Sequence, residues 1–97
     1  MEIVFADSTL ALIESGDAGK TGLPVAVIKA TRRKLTLFRA SIDDRSLRNW
    51  KSLHYEKLKG NLEGKRSIRV NNQYRLVFEL SETEPKTITV FAIEDYH

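Results

Sequence analysis

Residues 67–78 read Ser67-Ile68-Arg69-Val70-Asn71-Asn72-Gln73-Tyr74-Arg75-Leu76-Val77-Phe78. Ile68 and Val70 alternate with Ser67 and Arg69, and Tyr74, Leu76 and Phe78 alternate with Arg75 and Val77. That period of two belongs to half-buried strands. Asn71-Asn72 separates the two runs, and asparagine tolerates a positive φ better than most residues, so a β-hairpin with a tight turn is expected here. Alternation also sorts side chains by face. With Ile68 and Val70 turned to a core, Lys65 and Arg69 project to the other side. Arg75 opposes the Tyr74, Leu76 and Phe78 face, so the hairpin is expected to bring Arg69 and Arg75 together on one exposed surface.

Downstream, the alternation reaches Leu80, a polar turn follows over 81–86, and Thr87 to Ile93 is apolar on both faces, as a central strand would be. Upstream, residues 54–59 read as a short strand, and Gly60-Asn61 and Gly64 bracket a turn. The first half is different. Glu2 to Phe5 suits a first strand, and Asp7-Ser8 can cap a helix carrying Leu10, Leu12 and Ile13. Gly16, Gly19 and Gly22 then interrupt the chain, and Pro24 suits the first turn of a second helix. That helix would bury Val25, Ile28, Thr31, Leu35, Phe38 and Ile42 on one stripe and show Lys29, Arg33, Lys34 and Arg39 on the other face. Asp43-Asp44 offers another cap, with Leu47 and Trp50 in a further helical turn and Trp50 packed on the sheet or a helix. The expected architecture is a single α+β domain over 1–97: a short first strand and two N-terminal helices, packed on a small, mainly antiparallel sheet.

The 97 residues contain no cysteine, which excludes disulfides, thiolate metal sites and thiol nucleophiles. No apolar run approaches the length of a membrane span, and the amino-terminal residues lack the character of a signal peptide, so a cytoplasmic protein is expected. The net charge of +3 hides a strong polarisation. Between Lys29 and Arg75 fourteen Lys and Arg face four acids, and the remaining residues carry two bases and nine acids. A segment of net charge +10 points to a polyanion, and nucleic acid is the commonest one in a cytoplasm.

Three segments carry a resemblance. Lys57-Leu58-Lys59-Gly60-Asn61-Leu62-Glu63-Gly64 resembles the L-K-G-x-x-x-G segment of HigB-like toxins of the RelE/ParE superfamily. The stretch from Ser67 to Phe78 is similar to that family's S-I-R-hydrophobic-N-x-Q-aromatic-R strand pair, and Asp95-Tyr96-His97 matches its D-Y-H ending. The resemblance implies the toxin of a type II toxin-antitoxin pair: a ribosome-dependent endoribonuclease that cuts translated mRNA and is restrained by a HigA-like helix-turn-helix antitoxin in a hetero-oligomer. By position, Arg75 matches the strand arginine facing the scissile phosphate, Lys59 the lysine of L-K-G, and Asp95, Tyr96 and His97 the terminal functional triplet. One departure is plain. Some members carry a histidine three residues before that lysine, whereas His54 lies five before Lys59.

Such chemistry requires no covalent intermediate. The RNA 2′-hydroxyl attacks the adjacent phosphate, so the enzyme supplies alignment, cations for the phosphorane charge, and groups that remove and return protons. Arg75, with Arg69 or Lys59, suits the first two tasks, because a guanidinium fork matches phosphate. His97 suits proton transfer near neutral pH, with Tyr96 or Asp95 positioning it or the hydroxyl. Lys57, Lys65, Arg66, Arg69 and His54 are the expected RNA contacts, with Trp50 and Tyr55 as further candidates to stack on bases. No metal or other cofactor is expected: His54, His97 and Asp95 lack a metal-ligand spacing, and no nucleophile elbow is present. Two other functions use the same features, a non-catalytic toxin of this fold that poisons DNA gyrase and a basic regulator that grips RNA without cutting it.

Overall fold

The computed structural model describes residues 1–95. The sheet has five strands, β1 (Glu2–Phe5), β2 (Glu56–Lys57), β3 (Arg66–Arg69), β4 (Tyr74–Leu80) and β5 (Thr87–Asp95), in the order β1-β5-β4-β3-β2. β1 runs parallel to β5 and every other pair is antiparallel, so the sheet is mixed. The long helix α1 spans Val25–Ala40 and the short α2 spans Arg45–Asn49.

One core lies between α1 and a single face of the sheet. Val27, Ile28, Thr31, Leu35 and Phe38 from α1 meet Ile68, Leu76, Phe78, Ile88 and Val90. Phe38 and Phe78 are both fully buried, with ring centroids 5.2 Å apart. Helical spacing supplies the first set and strand alternation the second, so the two periodicities converge on one interior.

The expectation of two N-terminal helices is corrected by the structure. The segment with Leu10, Leu12 and Ile13 forms only a 3₁₀ turn, Leu10–Glu14, ended by Ser15 in extended conformation. Ile13 alone of the three is fully buried, and Arg32 of α1 donates to the carbonyls of Ile13 (2.7 Å) and Ser15 (2.9 Å). These contacts from α1 hold the segment as a tighter turn instead of an α-helix.

The apolar stripe of α1 is also shorter than expected. Val25 and Ile42 are exposed, because Val25 precedes the sheet contact and Ser41 turns the chain to extended backbone before Ile42. Trp50 is 52% exposed rather than packed, while Leu47 of the same segment fills the core. The strand expected over 54–59 shrinks to Glu56–Lys57.

The β3–β4 turn forms by a different means from the one expected. Among the described residues His54 is the one non-glycine with positive φ, at 47°. Asn71 instead accepts, through its side-chain oxygen, the backbone N–H groups of Gln73 (2.9 Å) and Tyr74 (2.8 Å), and so shapes the turn. β5 lies inside the sheet, between β1 and β4, which explains its apolar character on both faces.

Candidate functional site

The face of the sheet away from α1 carries Arg75. Register places Arg69 directly opposite Arg75, and Ser67 opposite both Glu56 of β2 and Val77 of β4. Glu94 of β5 lies opposite Arg75 on its other side. Residues paired across strands share a face, so Glu56, Ser67, Arg69, Arg75, Val77 and Glu94 form one surface.

That surface is less open than alternation alone implies. Ser67 and Val77 are buried, and the Arg75 side chain is only 13% exposed. The β2–β3 connection folds over this face. Leu58 and Leu62, with Glu56, Ser67, Arg75, Val77 and Glu94, enclose a cleft of about 170 Å³.

Arg75 is held from several directions. Its Nε donates to Ser67 Oγ (2.9 Å), one terminal nitrogen donates to the His54 carbonyl (2.6 Å), and Glu56 approaches that nitrogen at 3.2 Å. Three separate segments thus fix one guanidinium. Arg69 differs: its Nε is buried and has no hydrogen-bond partner. An arginine N–H withdrawn from water without an acceptor is costly, and Arg66 Nε shares that state.

A second layer positions the residues around Arg75. Tyr55 lies between His54 and Glu56, packs edge-on against Phe78 and donates to Asp44 Oδ2 at 2.8 Å. Asp44 also accepts from Arg48 Nε at 3.0 Å. Burial, then the bond to Asp44, pushes the Tyr55 hydroxyl up to about 12. Burial alone would raise Asp44, but the hydrogen bonds from Tyr55 and Arg48 outweigh it and hold the carboxyl below its ordinary value. Tyr55 is therefore a structural residue that sets the register of its neighbours, and not the exposed stacking surface considered from sequence.

The expected nucleic-acid residues fall into two groups. Lys57, Lys59, Lys65 and Arg66 surround a cleft of about 270 Å³ at the β2–β3 connection, while Arg69 and Arg75 occupy the sheet face. His54 adopts left-handed backbone at the end of a 3₁₀ turn; its ring is exposed and its carbonyl is the group that meets Arg75. Asp95 lies opposite Tyr74, hence on the other sheet face from Arg75, and accepts from Gln73 Nε2 at 2.6 Å. This bond ties the end of β5 to the arginine-bearing hairpin. Tyr96 and His97 lie outside the described residues.

Glu56 and Ser67 are the additions that sequence reading missed. Ser67 was visible as the small polar residue in an otherwise Lys/Arg-rich alternation, and Glu56 as one of few acids in the basic segment. Neither signal identifies Arg75 as the partner. Among the described residues no helix is long and apolar enough to cross a membrane, and no group of three or more His, Cys, Asp or Glu could hold a metal ion.

The architecture is that of the YoeB/ParE toxins. A YoeB/ParE toxin from Agrobacterium tumefaciens superposes over 100% of both chains with a TM-score of 0.65 at 18% identity. The YoeB-YefM complex from Staphylococcus aureus gives 0.57 at 22% identity, covering 100% of this chain and 97% of that one. Sequence narrows the class further. The family model for the HigB-like toxin, described as a RelE-like toxin of type II toxin-antitoxin system HigB, matches residues 4–97. Toxin HigB-1 of Vibrio cholerae is 37% identical over 79 residues, which cover 81% of this chain and 83% of that protein. The chain belongs to the HigB-like toxins of type II toxin-antitoxin systems.

Proposed function

We propose that this toxin is a ribosome-dependent endoribonuclease that cleaves mRNA by attack of the 2′-hydroxyl on the adjacent phosphate. The observation that carries this reading is the anchored Arg75 guanidinium in a cleft shared with Glu56, with Arg69 opposite it in register. A phosphate entering the cleft displaces the Glu56 carboxylate from Arg75, because the dianionic phosphorane that follows matches the guanidinium better. The released carboxylate then lies beside the reacting phosphate, where it can take the 2′-hydroxyl proton. His97, as imidazolium, returns a proton to the departing 5′-oxygen. The products are a 2′,3′-cyclic phosphate and a free 5′-hydroxyl.

The other expected residues take supporting roles. Lys57, Lys59, Lys65 and Arg66 hold the strand by its phosphates, and the Asp95–Gln73 bond fastens the end of β5 to the arginine-bearing hairpin. His54 contributes its carbonyl to Arg75 and its ring to the outer RNA contact. A HigA-like helix-turn-helix antitoxin covers this basic face and keeps the toxin from the ribosome. The YoeB-YefM assembly of S. aureus is a heterotetrameric toxin-antitoxin complex, which supports a proteinaceous partner on this fold. Translation and its antitoxin place the protein in the cytoplasm.

The test is translation of a defined mRNA by purified ribosomes with the antitoxin-free protein, with RNA ends mapped by primer extension. Ribosome-dependent cuts within the frame that disappear in Arg75→Ala and His97→Ala are expected. Intact mRNA in the presence of folded protein overturns the reading and favours gyrase poisoning or non-catalytic binding.

A further inference from the structure

β5 pairs with β4 through a bulge: Val77 opposes Ala92 and Phe78 opposes Val90, so Phe91 has no partner. Val90 faces the core opposite Phe78, so alternation puts Phe91 on the Arg75 face, and the bulge keeps Ala92 on that face as well, opposite Val77. Lys65 confirms the direction. It shares a face with Ser67 by alternation, and its Nζ lies 4.5 Å from the Phe91 ring centroid. Phe91 is half-buried, and its chain neighbour Ala92 pairs with Val77, which lines the cleft. Val77 and Arg75 are two residues apart, about 7 Å along β4, which is within the span of one nucleotide.

An aromatic ring on a basic face, held under a lysine and one nucleotide from a phosphate-binding arginine, has the composition of a base-stacking site. We propose that Phe91 is the platform on which a base flanking the scissile phosphate stacks, with Lys65 as its displaceable cover. This rests on the ribonuclease reading. A surface lysine over a phenyl ring is worth about two- to fivefold in an equilibrium constant, whereas base stacking on an aromatic side chain is worth roughly five- to 150-fold. The base therefore wins the ring. Lys65, on its flexible stem, swings to the phosphate of the same nucleotide. Stacking reads no base identity by itself, so Phe91 sets the alignment and affinity of the strand and leaves sequence preference to other contacts.

The experiment uses ribosomes programmed with mRNA that carries 2-aminopurine at successive positions around the cut and a 2′-deoxy sugar at the cut itself. The wild-type toxin is expected to quench the fluorophore at one position, Phe91→Tyr to keep the quench, and Phe91→Leu, which preserves bulk, to abolish it. On cleavable mRNA, Phe91→Leu raises KM on the order of tenfold with kcat retained. Lys65→Ala keeps the quench. If the wild type cleaves but Phe91→Leu quenches and cleaves like it, stacking is refuted and the ribonuclease reading stands. A Phe91→Leu protein of normal thermal stability that loses kcat at unchanged KM also refutes stacking. If the wild type leaves cleavable mRNA intact, both readings fall.

Discussion

Replacing Glu56 by glutamine separates the chemical role of this side chain from its structural one. The Glu56 carboxylate lies 3.2 Å from Arg75 and is 61% exposed. An ion pair so exposed contributes less than about 1 kcal/mol, since water and salt screen it. For a domain of this size that corresponds to a Tm change of no more than about 8 °C. Arg75 keeps its bonds to Ser67 Oγ and the His54 carbonyl, so its guanidinium stays in place. The amide is nearly isosteric with the carboxylate but cannot accept the 2′-hydroxyl proton. Loss of a general base costs roughly 10²- to 10⁴-fold in kcat. KM for mRNA is expected to stay the same or fall, because no carboxylate competes with the incoming phosphate. Single-turnover cleavage on programmed ribosomes, beside circular-dichroism melting, measures both sides. A Glu56→Gln protein that cleaves as fast as the wild type refutes the proton-acceptor role, and one that cleaves faster shows Glu56 to be only a restraint on Arg75.

Other consequences concern the supports of the site. Asp44, held below its ordinary value of 3.8, contributes stability that is present above that pH and is lost as pH falls through its lower folded-state value. Asp44→Asn should lower stability at pH 7 on the order of 2 kcal/mol, and flatten the fall of Tm with acidification below about pH 4, both visible in melting curves. Ultraviolet titration should show one tyrosine deprotonating only near 12, assigned by its disappearance in Tyr55→Phe. His54→Gly should change stability by less than about 1 kcal/mol, because glycine adopts left-handed backbone and keeps the carbonyl that meets Arg75; cleavage should survive, and its loss would assign chemistry to the imidazole. Phe78→Ala should cost about 3–5 kcal/mol, measured by urea unfolding, because the ring is fully buried against Phe38 and Tyr55.

The sequence alone determined the strands around Asn71-Asn72, the pairing of Arg69 with Arg75 on one face, and the long basic helix from Val25. Each of these follows from a local period or a local turn signal, because side-chain direction in a strand or helix is set by position along that element. It also supplied the family motifs. What it misjudged was decided by neighbours. Leu10 to Ile13 have helical spacing, yet Arg32 holds that segment as a 3₁₀ turn. Trp50 carries a large ring, but Leu47 occupies the available core space.

Only the tertiary structure decided what surrounds Arg75. Glu56, Ser67 and the His54 carbonyl lie 19, 8 and 21 residues upstream, and they converge because β2, β3 and β4 are adjacent in an order fixed by packing the whole sheet on α1. That Ala92 follows Phe91 onto the Arg75 face depends likewise on a one-residue offset between β4 and β5. Alternation cannot reveal such an offset: a bulge interrupts the period through pairing with another strand, and that pairing is a non-local event.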